Sequence, residues 1–217
     1  MNVKIALIRG DGIGPEVVGE AVKVLEQVGK KFGHTFTYTD VLMGGCAIDA
    51  VGKSYPDGTA EACKACDAVL LGAVGGPKWG HSTDPEKRPE TALLSIRKDL
   101  GLYANLRPAA LRPALADACP LKKETADKGI DLMMVRELTG GIYFGQKERY
   151  QTEDRGEEAS DRMAYSEKEI ERIGRRAFEL ARLRRKKVAS VDKANVLETS
   201  RLWRQVMHRL AEEYSDV

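Results

Sequence analysis

Three arginines have the placement expected of a carboxylate-binding group. Arg97 lies among apolar residues with helical spacing, Arg107 stands at the end of an apolar segment, and Arg136 ends another. A guanidinium can bind a carboxylate through two parallel hydrogen bonds, so three that converge on a cleft would suit a substrate with two or three carboxylates. Each arginine alone could equally pair with a structural carboxylate, and both interpretations stay open at this point.

Two other residues stand where chemistry could take place. Lys193 follows an apolar segment in the run 191–196, Val-Asp-Lys-Ala-Asn-Val. A lysine that is desolvated among other cations can move protons near neutral pH, whereas a surface lysine is a solvated charge. Tyr143, in the run 140–145, Gly-Gly-Ile-Tyr-Phe-Gly, is by composition alone a candidate core aromatic.

Two glycine-rich turns each follow an apolar segment. The first is residues 10–14, Gly-Asp-Gly-Ile-Gly, and the second is residues 72–79, Gly-Ala-Val-Gly-Gly-Pro-Lys-Trp. The first is not a dinucleotide fingerprint, because Pro15 stands where that pattern needs its third glycine. Ligands of open α/β folds bind beyond the carboxyl ends of parallel strands. We therefore expect both turns at one such edge.

Neither the cysteines nor the histidines predict a metal or redox site. The run 63–66, Cys-Lys-Ala-Cys, has suitable spacing but no second ligand pair, and the four cysteines are expected to be reduced thiols. His34, His81 and His208 have no ligand spacing and are each expected to be structural or exposed.

Hydrophobic periodicity places these residues on alternating strands and helices. Strands are predicted over residues 3–8, 35–42, 68–72, 102–106, 130–135, 142–144 and 188–191. Helices are predicted over residues 15–31, 59–66, 91–100, 166–183 and 196–214. The charged stretch 146–165 suits an exposed arm or hairpin. Alternation of this kind predicts an α/β fold with a parallel sheet.

Charge and hydropathy exclude several classes of partner. The net charge is +2, which favours neither nucleic acid nor a membrane surface, and no apolar stretch approaches the ~20 residues of a membrane span. The basic run 182–187 is expected to be a solvated helix end. The first residues do not have the pattern of a signal peptide, so a cytoplasmic protein is expected.

Together these segments resemble the β-decarboxylating dehydrogenases, the family of isopropylmalate, isocitrate, homoisocitrate and tartrate dehydrogenases. The resemblance runs from residues 10–16, Gly-Asp-Gly-Ile-Gly-Pro-Glu, to residues 192–197, Asp-Lys-Ala-Asn-Val-Leu. It implies a two-domain α/β fold with a parallel or mixed sheet that is not the Rossmann fold. Residues 1–103 would belong to the cofactor-side domain. Residues 104–217 would form the second domain, with dimerisation helices and the exposed arm.

Three stretches are similar to the isopropylmalate branch of the family: residues 75–79, residues 88–108 and residues 136–145. An isocitrate enzyme usually has a serine and an asparagine where this chain has Glu90 and Leu93. Leu93 and Leu94 would supply an apolar wall for an isopropyl group, which a γ-carboxylate would not favour. The implied reaction is the oxidative decarboxylation of (2R,3S)-3-isopropylmalate to 4-methyl-2-oxopentanoate with reduction of NAD, in leucine biosynthesis.

The resemblance also implies a role for each candidate residue. Arg97, Arg107 and Arg136 would bind the malate carboxylates, Lys193 would take the proton of the C2 hydroxyl, and Tyr143 would protonate the enol carbon. The residues bordering or orienting the nicotinamide would be Gly75, Gly76, Pro77, Lys78, Trp79, Glu90 and Asn195. Mg2+ or Mn2+ would polarise the intermediate ketone.

Part of the family's site has no counterpart in this sequence. The three metal-binding aspartates and the adenosine-binding loop are expected after Val217, and Asp216 is not expected to be a metal ligand. We therefore interpret the sequence as C-terminally truncated, which leaves its own activity open. Relatives are homodimers in which the partner subunit supplies the lysine, so a homodimer is expected here. The alternatives are a non-catalytic fragment that keeps the fold and dimer contacts, or a tartrate or homoisocitrate dehydrogenase.

Overall fold

The chain folds into two compact units, Met1–Gly101 and Leu102–Val217. The computed structural model describes residues 1–80 and 82–217, so the prediction for His81 lies outside the described residues. None of the helices in those two ranges has the length and apolar character that a bilayer span requires. The assignment of one unit to the cofactor and the other to dimerisation stays a prediction.

The first unit is built on a three-stranded parallel sheet with the order β2-β1-β3. Its strands are β1 (Asn2–Gly10), β2 (Thr35–Asp40) and β3 (Ala68–Ala73). Side chains alternate across β1: Ile5 and Leu7 pack on one face, and Ala6 and Ile8 pack on the other. Both faces of the central strand are therefore buried, which explains its continuous apolar run.

The described residues of this unit also form four α-helices: α1 (Gly14–Phe32), α2 (Gly45–Val51), α3 (Thr59–Lys64) and α4 (Pro89–Asp99). α1 covers one face through Val18, and α4 contributes Ala92 and Ile96 to the core on the other face. The parallel sheet predicted from strand–helix alternation is confirmed. α2 was not expected, because two glycines at its start indicated a turn.

The second unit contains two separate antiparallel ribbons and a pair of packed helices. The strands are β4 (Ala104–Ala110), β5 (Asp131–Glu137), β6 (Lys147–Thr152) and β7 (Gly156–Asp161), and the helices are the short α5 (Lys123–Ala126), α6 (Glu167–Arg182) and α7 (Glu198–Glu213). β4 pairs with β5, and β6 pairs with β7. The β6–β7 hairpin confirms the arm expected over residues 146–165.

The core of the second unit forms between α6 and α7. Ile170 and Phe178 from α6 pack with Val206 and Leu210 from α7. α6 begins with the predicted capping box: the Ser166 hydroxyl accepts a hydrogen bond from the Glu169 amide, and the Glu169 carboxylate accepts one from the Ser166 amide. Two donors that the helix cannot satisfy internally are thereby paired.

One predicted strand end is wrong. β4 continues past Arg107 and Pro108 to Ala110 instead of ending there. The hydrogen bonds Leu111 N to Ile130 O and Leu138 N to Tyr103 O make the odd-numbered positions of β4 the bonded ones. The nitrogen of Pro108 therefore points away from β5, and the strand loses no ladder hydrogen bond there.

Two predicted strands are absent from the part of the chain that the structure describes. Residues 142–144 form a turn, and residues 188–191 belong to no regular element. In the second segment, Val188 packs against the α6–α7 core, and the Ser190 hydroxyl accepts a hydrogen bond from Trp203 Nε1 at 3.1 Å. The apolar character of Val188 therefore reflects packing on helices.

Candidate active site

One face of the β4–β5 ribbon carries two of the candidate arginines. Asn105 lies directly opposite Arg136, and Arg107 lies opposite Met134, so the four side chains share one face. Both arginines are exposed, and Arg107 Nε donates a hydrogen bond to Asn105 Oδ1 at 2.5 Å. The other face, with Glu137, packs towards α6. The ribbon thus presents two guanidinium groups together on its uncovered side.

Tyr143 lies beside this arginine face. The Arg136 guanidinium carbon is 5.4 Å from the centre of the Tyr143 ring, a cation–π contact. The ring is 52% exposed, so the core position that composition favoured is wrong. An exposed phenol next to an exposed guanidinium is available to a bound molecule.

An ion pair between a buried carboxylate and a partly exposed arginine fixes the chain between Arg136 and Tyr143. The Glu137 side chain is 1% exposed, and its carboxylate accepts hydrogen bonds from Arg172 at 2.6 Å and from the amide and hydroxyl of Thr139 at 3.0 and 2.9 Å. Arg172 also donates to the Thr139 hydroxyl and lies over the Tyr103 ring. Because both oxygens of the Glu137 carboxylate are hydrogen-bonded, the turn that follows leaves β5 in a fixed direction.

The same turn is held from its other side by Tyr165. A side chain at Gly141, where φ is +80°, would lie 2.3 Å from the Tyr165 hydroxyl. The Gly141 amide donates to Ala164 O at 2.8 Å. Burial raises the pKa of Tyr165, so its phenol stays protonated. The glycines in this turn therefore serve close packing beneath Tyr143.

Lys193 is exposed on a loop that is otherwise tightly held. Arg204 binds both oxygens of Asp192 at 2.7 and 3.0 Å, and the Ala194 amide donates to Asp192 Oδ1. The Lys193 amide donates to the Ser200 hydroxyl at 3.0 Å. Asn195 is exposed in the same loop. The loop fixes the backbone and leaves the ammonium group free to reach outward.

In the first unit, the two glycine-rich turns lie side by side at the carboxyl ends of β1 and β3, as predicted. Gly10 is opposite Ala73 in the sheet, and the Asp11 amide donates to Ala73 O at 2.6 Å. A side chain at Gly10 would lie 1.9 Å from that oxygen, and one at Gly14 would lie 2.1 Å from Arg9 O. These two glycines allow backbone segments to approach one another.

The second turn lies beside the first residues of α4. A side chain at Gly75, where φ is +105°, would lie 2.8 Å from Glu90 Oε1, so the Glu90 carboxylate borders the turn. Lys78 lies 5.2 Å from the centre of the Trp79 ring. Gly76 and Pro77 complete the turn, and Pro77–Trp79 forms one turn of 3-10 helix.

Three candidate substrate residues are on α4 of the first unit. Arg97, Leu93 and Leu94 are half-buried there, and Leu93 packs against the core. Arg107 and Arg136 belong to the second unit. Among the candidates, the described contacts join Arg136 to Tyr143, Gly75 to Glu90, and Lys78 to Trp79.

Two of the cysteines, Cys46 and Cys63, have the chemistry of structural thiols. All four are free, and burial raises the pKa of Cys63 in the Cys-Lys-Ala-Cys run. Burial also raises the pKa of Cys46. A thiol with a raised pKa is a weak nucleophile and a weak metal ligand near neutral pH.

The described residues contain no group of three or more histidine, cysteine, aspartate or glutamate side chains that could hold a metal ion. Asp216 instead pairs with Arg182 at 2.6 Å and with Lys186 at 3.5 Å. The basic run that contains these residues is thus partly neutralised by carboxylates, and Asp216 has a structural partner.

Two acidic residues that the sequence analysis did not single out shape the site. Asp11 is 3% exposed and binds backbone amides of two segments, and Asp49 binds Lys78 and Trp79. Asp11 lies within the glycine-rich run, and a charged residue in a buried turn was the available signal. Asp49 carried no such signal, because its role depends on α2.

Comparison with known proteins identifies the family. A profile for isocitrate/isopropylmalate dehydrogenase matches residues 4–217. The 3-isopropylmalate dehydrogenase of Nitratidesulfovibrio vulgaris is 56% identical over the whole chain, which covers 60% of that relative. That of Moorella thermoacetica is 59% identical over 99% of the chain and 59% of the relative. The chain therefore spans about 60% of the length of these curated relatives.

The same fold occurs in solved structures. The crystal structure of isocitrate dehydrogenase from Methylococcus capsulatus matches with a TM-score of 0.78 and 33% identity, covering 99% of this chain and 58% of that one. The α/β fold expected from the resemblance is confirmed. With the profile match over nearly all of its length, the chain belongs to the isocitrate/isopropylmalate dehydrogenase family.

Proposed function

We propose that this chain forms the substrate-binding and nicotinamide-side part of an NAD-dependent 3-isopropylmalate dehydrogenase. The reaction would convert (2R,3S)-3-isopropylmalate to 4-methyl-2-oxopentanoate, CO2 and NADH, in leucine biosynthesis in the cytoplasm. The observation that carries the proposal is the shared face of Arg107 and Arg136 with Tyr143 beside it. The relatives from Nitratidesulfovibrio vulgaris and Moorella thermoacetica support the choice of substrate.

Arg107 and Arg136 would bind the malate carboxylates, together with Arg97 of α4. Two guanidinium groups on one face of the β4–β5 ribbon can each form paired hydrogen bonds to a carboxylate, which fixes the substrate's orientation. Leu93 and Leu94, half-buried on α4, would contact the isopropyl group. An apolar wall there favours isopropylmalate over isocitrate, whose carboxylate it would leave without partners.

Lys193 and Tyr143 would move the protons. Lys193 would accept the proton of the C2 hydroxyl, directly or through water, as the substrate is oxidised. Tyr143 would donate a proton to the enol carbon after decarboxylation. The fixed backbone of the 191–196 loop and of the turn before Tyr143 supports this, since positioned acids and bases lose less freedom on reaction.

Glu90, Asn195 and the 75–79 loop would border the nicotinamide. The exposed Glu90 carboxylate beside the Gly75 backbone offers an acceptor for a carboxamide N–H, and this fits the cofactor. NAD, when bound, would accept the hydride from C2. The described residues do not supply a metal-ligand set, so we assign no step of the reaction to a metal held by them.

A homodimer is part of the proposal. Lys193 stands on an exposed loop flanked by the exposed Val191 and Val196, which suits delivery of the lysine to a second subunit's site. Analytical ultracentrifugation of the purified chain at several concentrations tests the association. A chain that stays monomeric up to its highest soluble concentration would contradict the dimer.

The test of the function has two parts. The chain is first titrated calorimetrically with 3-isopropylmalate, and with isocitrate as the matched control. We expect isocitrate to bind at least about tenfold more weakly, since mismatched groups in such a pocket cost roughly 1–3 kcal/mol. Equal binding of both acids would contradict the proposed specificity.

The second part measures turnover. The chain is joined to the remaining C-terminal residues of the Moorella thermoacetica relative, and NADH absorbance is followed with each acid, NAD and Mg2+ or Mn2+. We expect NADH with 3-isopropylmalate and background with isocitrate or tartrate. A folded joined protein that is inactive, beside an active Moorella thermoacetica enzyme, would favour the non-catalytic alternative.

A further inference from the structure

The buried carboxylate of Asp11 connects three parts of the first unit. Its Oδ2 accepts hydrogen bonds from the amides of Gly45 and Gly75, both at 2.8 Å, and its Oδ1 accepts one from the amide of Cys46 at 2.7 Å. Hydrogen bonds to an ionised acceptor are about twice as strong as neutral ones. A carboxylate that is 3% exposed is favourable only because these donors replace its water.

Two of these donors belong to the start of α2. The residue before that helix, Gly44, has no side chain to cap it, and Asp11 supplies the missing acceptor for Gly45 and Cys46 from a distant turn. A negative charge is also favoured at this end of a helix. The position of α2 therefore depends on Asp11.

α2 in turn holds the far end of the 75–79 loop. Asp49 Oδ2 binds Lys78 Nζ at 2.7 Å, and Asp49 Oδ1 accepts a hydrogen bond from Trp79 Nε1 at 3.2 Å. The Trp79 ring packs on Gly45, where an added side chain would lie 2.5 Å from the ring. These contacts hold the pKa of Asp49 below its usual range, first through Lys78 and then through Trp79.

Both ends of the loop thus lead back to one carboxylate. Asp11 holds the near end directly, through Gly75, and the far end indirectly, through α2. We propose that Asp11 is a positioning residue that sets the 75–79 loop against Glu90 in the conformation used to bind the nicotinamide. The role in cofactor binding rests on the proposed function, whereas the coupling of α2 to the loop does not.

Asp11 acts through other residues and does not itself reach a ligand, because its oxygens are buried and already bonded to amides. Its replacement by a residue with the same shape removes the charge and places an amide NH2 against backbone donors. At least one of the three amides then loses its acceptor. Either the direct connection through Gly75 or the indirect connection through the start of α2 would thereby be weakened.

The test uses the whole chain with Trp203→Phe, which leaves Trp79 as its tryptophan reporter. Asp11→Asn is compared with Thr59→Val, an isosteric change of another buried polar side chain in the same unit. We expect Asp11→Asn to shift Trp79 emission to the red, increase its quenching by acrylamide and speed hydrogen exchange at Gly75. Thr59→Val should change none of these, with far-UV circular dichroism unchanged in both.

A third variant separates the two connections. Asp49→Asn should release Trp79 and leave the Gly75 amide protected, because Asp11 still binds it. If Asp11→Asn does not fold, hydrogen exchange in the unaltered chain decides: Gly45, Cys46 and Gly75 should be protected to a similar degree. Unchanged Trp79 emission in Asp11→Asn, or a freely exchanging Gly75 in the unaltered chain, would overturn the proposal.

Titration with NAD distinguishes the coupling of α2 to the 75–79 loop from the role of that loop in cofactor binding. If NAD quenches Trp79 in the starting chain and binds roughly tenfold more weakly to Asp11→Asn, the positioning role extends to the cofactor. If NAD has no effect on Trp79 while Asp11→Asn still moves the loop, the coupling stands and the assignment of the loop to nicotinamide is wrong.

Discussion

The candidate side chains of the second unit are exposed, while the residues that aim them are buried. Arg107, Arg136 and Tyr143 reach solvent, and Glu137 beneath them is almost fully enclosed. Ligand binding needs accessible groups, and precision needs supporting groups whose hydrogen bonds are satisfied. Substitutions at these two kinds of residue should therefore have different effects.

Arg136→Lys should weaken binding of 3-isopropylmalate about 10- to 100-fold, because a lysine cannot form the paired hydrogen bonds worth roughly 1.5–3 kcal/mol. Folding stability should change little, since the side chain is exposed. Calorimetric titration measures the affinity. Arg149→Lys on the β6–β7 hairpin is the matched control, and equal losses in the two variants would contradict the assignment of Arg136.

Glu137→Gln should lower the free energy of unfolding of the second unit by about 2 kcal/mol. The change leaves Arg172 without its charged partner, and the partial exposure of Arg172 reduces the cost below that of a fully buried pair. Urea unfolding followed by Trp203 fluorescence measures it. Glu157→Gln, which breaks an exposed pair with Arg149, should cost less than about 0.5 kcal/mol.

At the scale of the elements, a helical glycine is closely packed in the second unit and has open space beside it in the first. A side chain at Gly174 of α6 would lie 2.5 Å from Leu210 Cδ1 and 2.9 Å from the sulfur of Met207. Leu210 is fully buried and has little room to move. At Gly19 of α1, an added side chain would meet nothing within 4 Å.

Gly174→Ala should therefore destabilise the chain, and Gly19→Ala should stabilise it. Both changes gain up to about 1 kcal/mol of helix propensity, but overpacking at Gly174 costs about 1–3 kcal/mol. Urea midpoints of the two variants provide the comparison. A stabilising Gly174→Ala would mean that α6 and α7 can separate at little cost.

Most elements could be predicted from periodicity because the spacing of their apolar residues can be read within each segment of the sequence. β1 shows its burial on both faces as a continuous apolar run, and α1 and α6 show their buried faces as helical repeats of apolar residues. Ser166 marks the start of α6. The strand predicted over residues 188–191 is absent because a short apolar run does not reveal whether it pairs with a strand or packs on helices. α2 was not predicted because the carboxylate that accepts a hydrogen bond from its first amide belongs to Asp11, 34 residues earlier.

Part of the candidate site could be predicted because some of its residues belong to short patterns that are visible in the sequence. Glycine-rich turns and strand-end arginines are visible in the sequence, and the pairing of β1 with β3 brings the two turns together. Tyr143 had no such signal until the family resemblance was considered. The supports of the site, Asp11, Asp49 and Arg172, act over long sequence separations, and spacing alone could not assign them.

At the scale of the whole molecule, carboxylates paired with arginine are concentrated in the second unit. Arginine side chains hold the pKa values of four of its carboxyl groups below their usual range: Asp131, Asp192, Glu213 and Asp216. In the described part of the first unit, Asp49 is the carboxyl group with a clearly lowered pKa, and the cause is Lys78 and then Trp79.

The second unit should therefore lose stability in acid. Because each folded-state pKa lies below its unfolded value, the pairs stabilise the fold above about pH 4, and this contribution disappears as pH falls through the folded-state values. Urea midpoints of the Trp79→Phe chain, followed by Trp203 from pH 7 to pH 2, measure the loss. The double variant Asp131→Asn, Asp216→Asn should show a shallower decline, and an identical decline would exclude these pairs as its cause.

The close approach of the first glycine-rich turn to β3 also explains why residues 10 and 14 are glycines. Gly10 and Gly14 face the Ala73 and Arg9 carbonyls, and no ligand needs to be invoked for their lack of side chains. Selection for folding alone would thus keep both glycines, whatever the protein binds. The run Gly-Asp-Gly-Ile-Gly is consequently a marker of architecture, and the Asp11 side chain links that architecture to the backbone of the 75–79 loop.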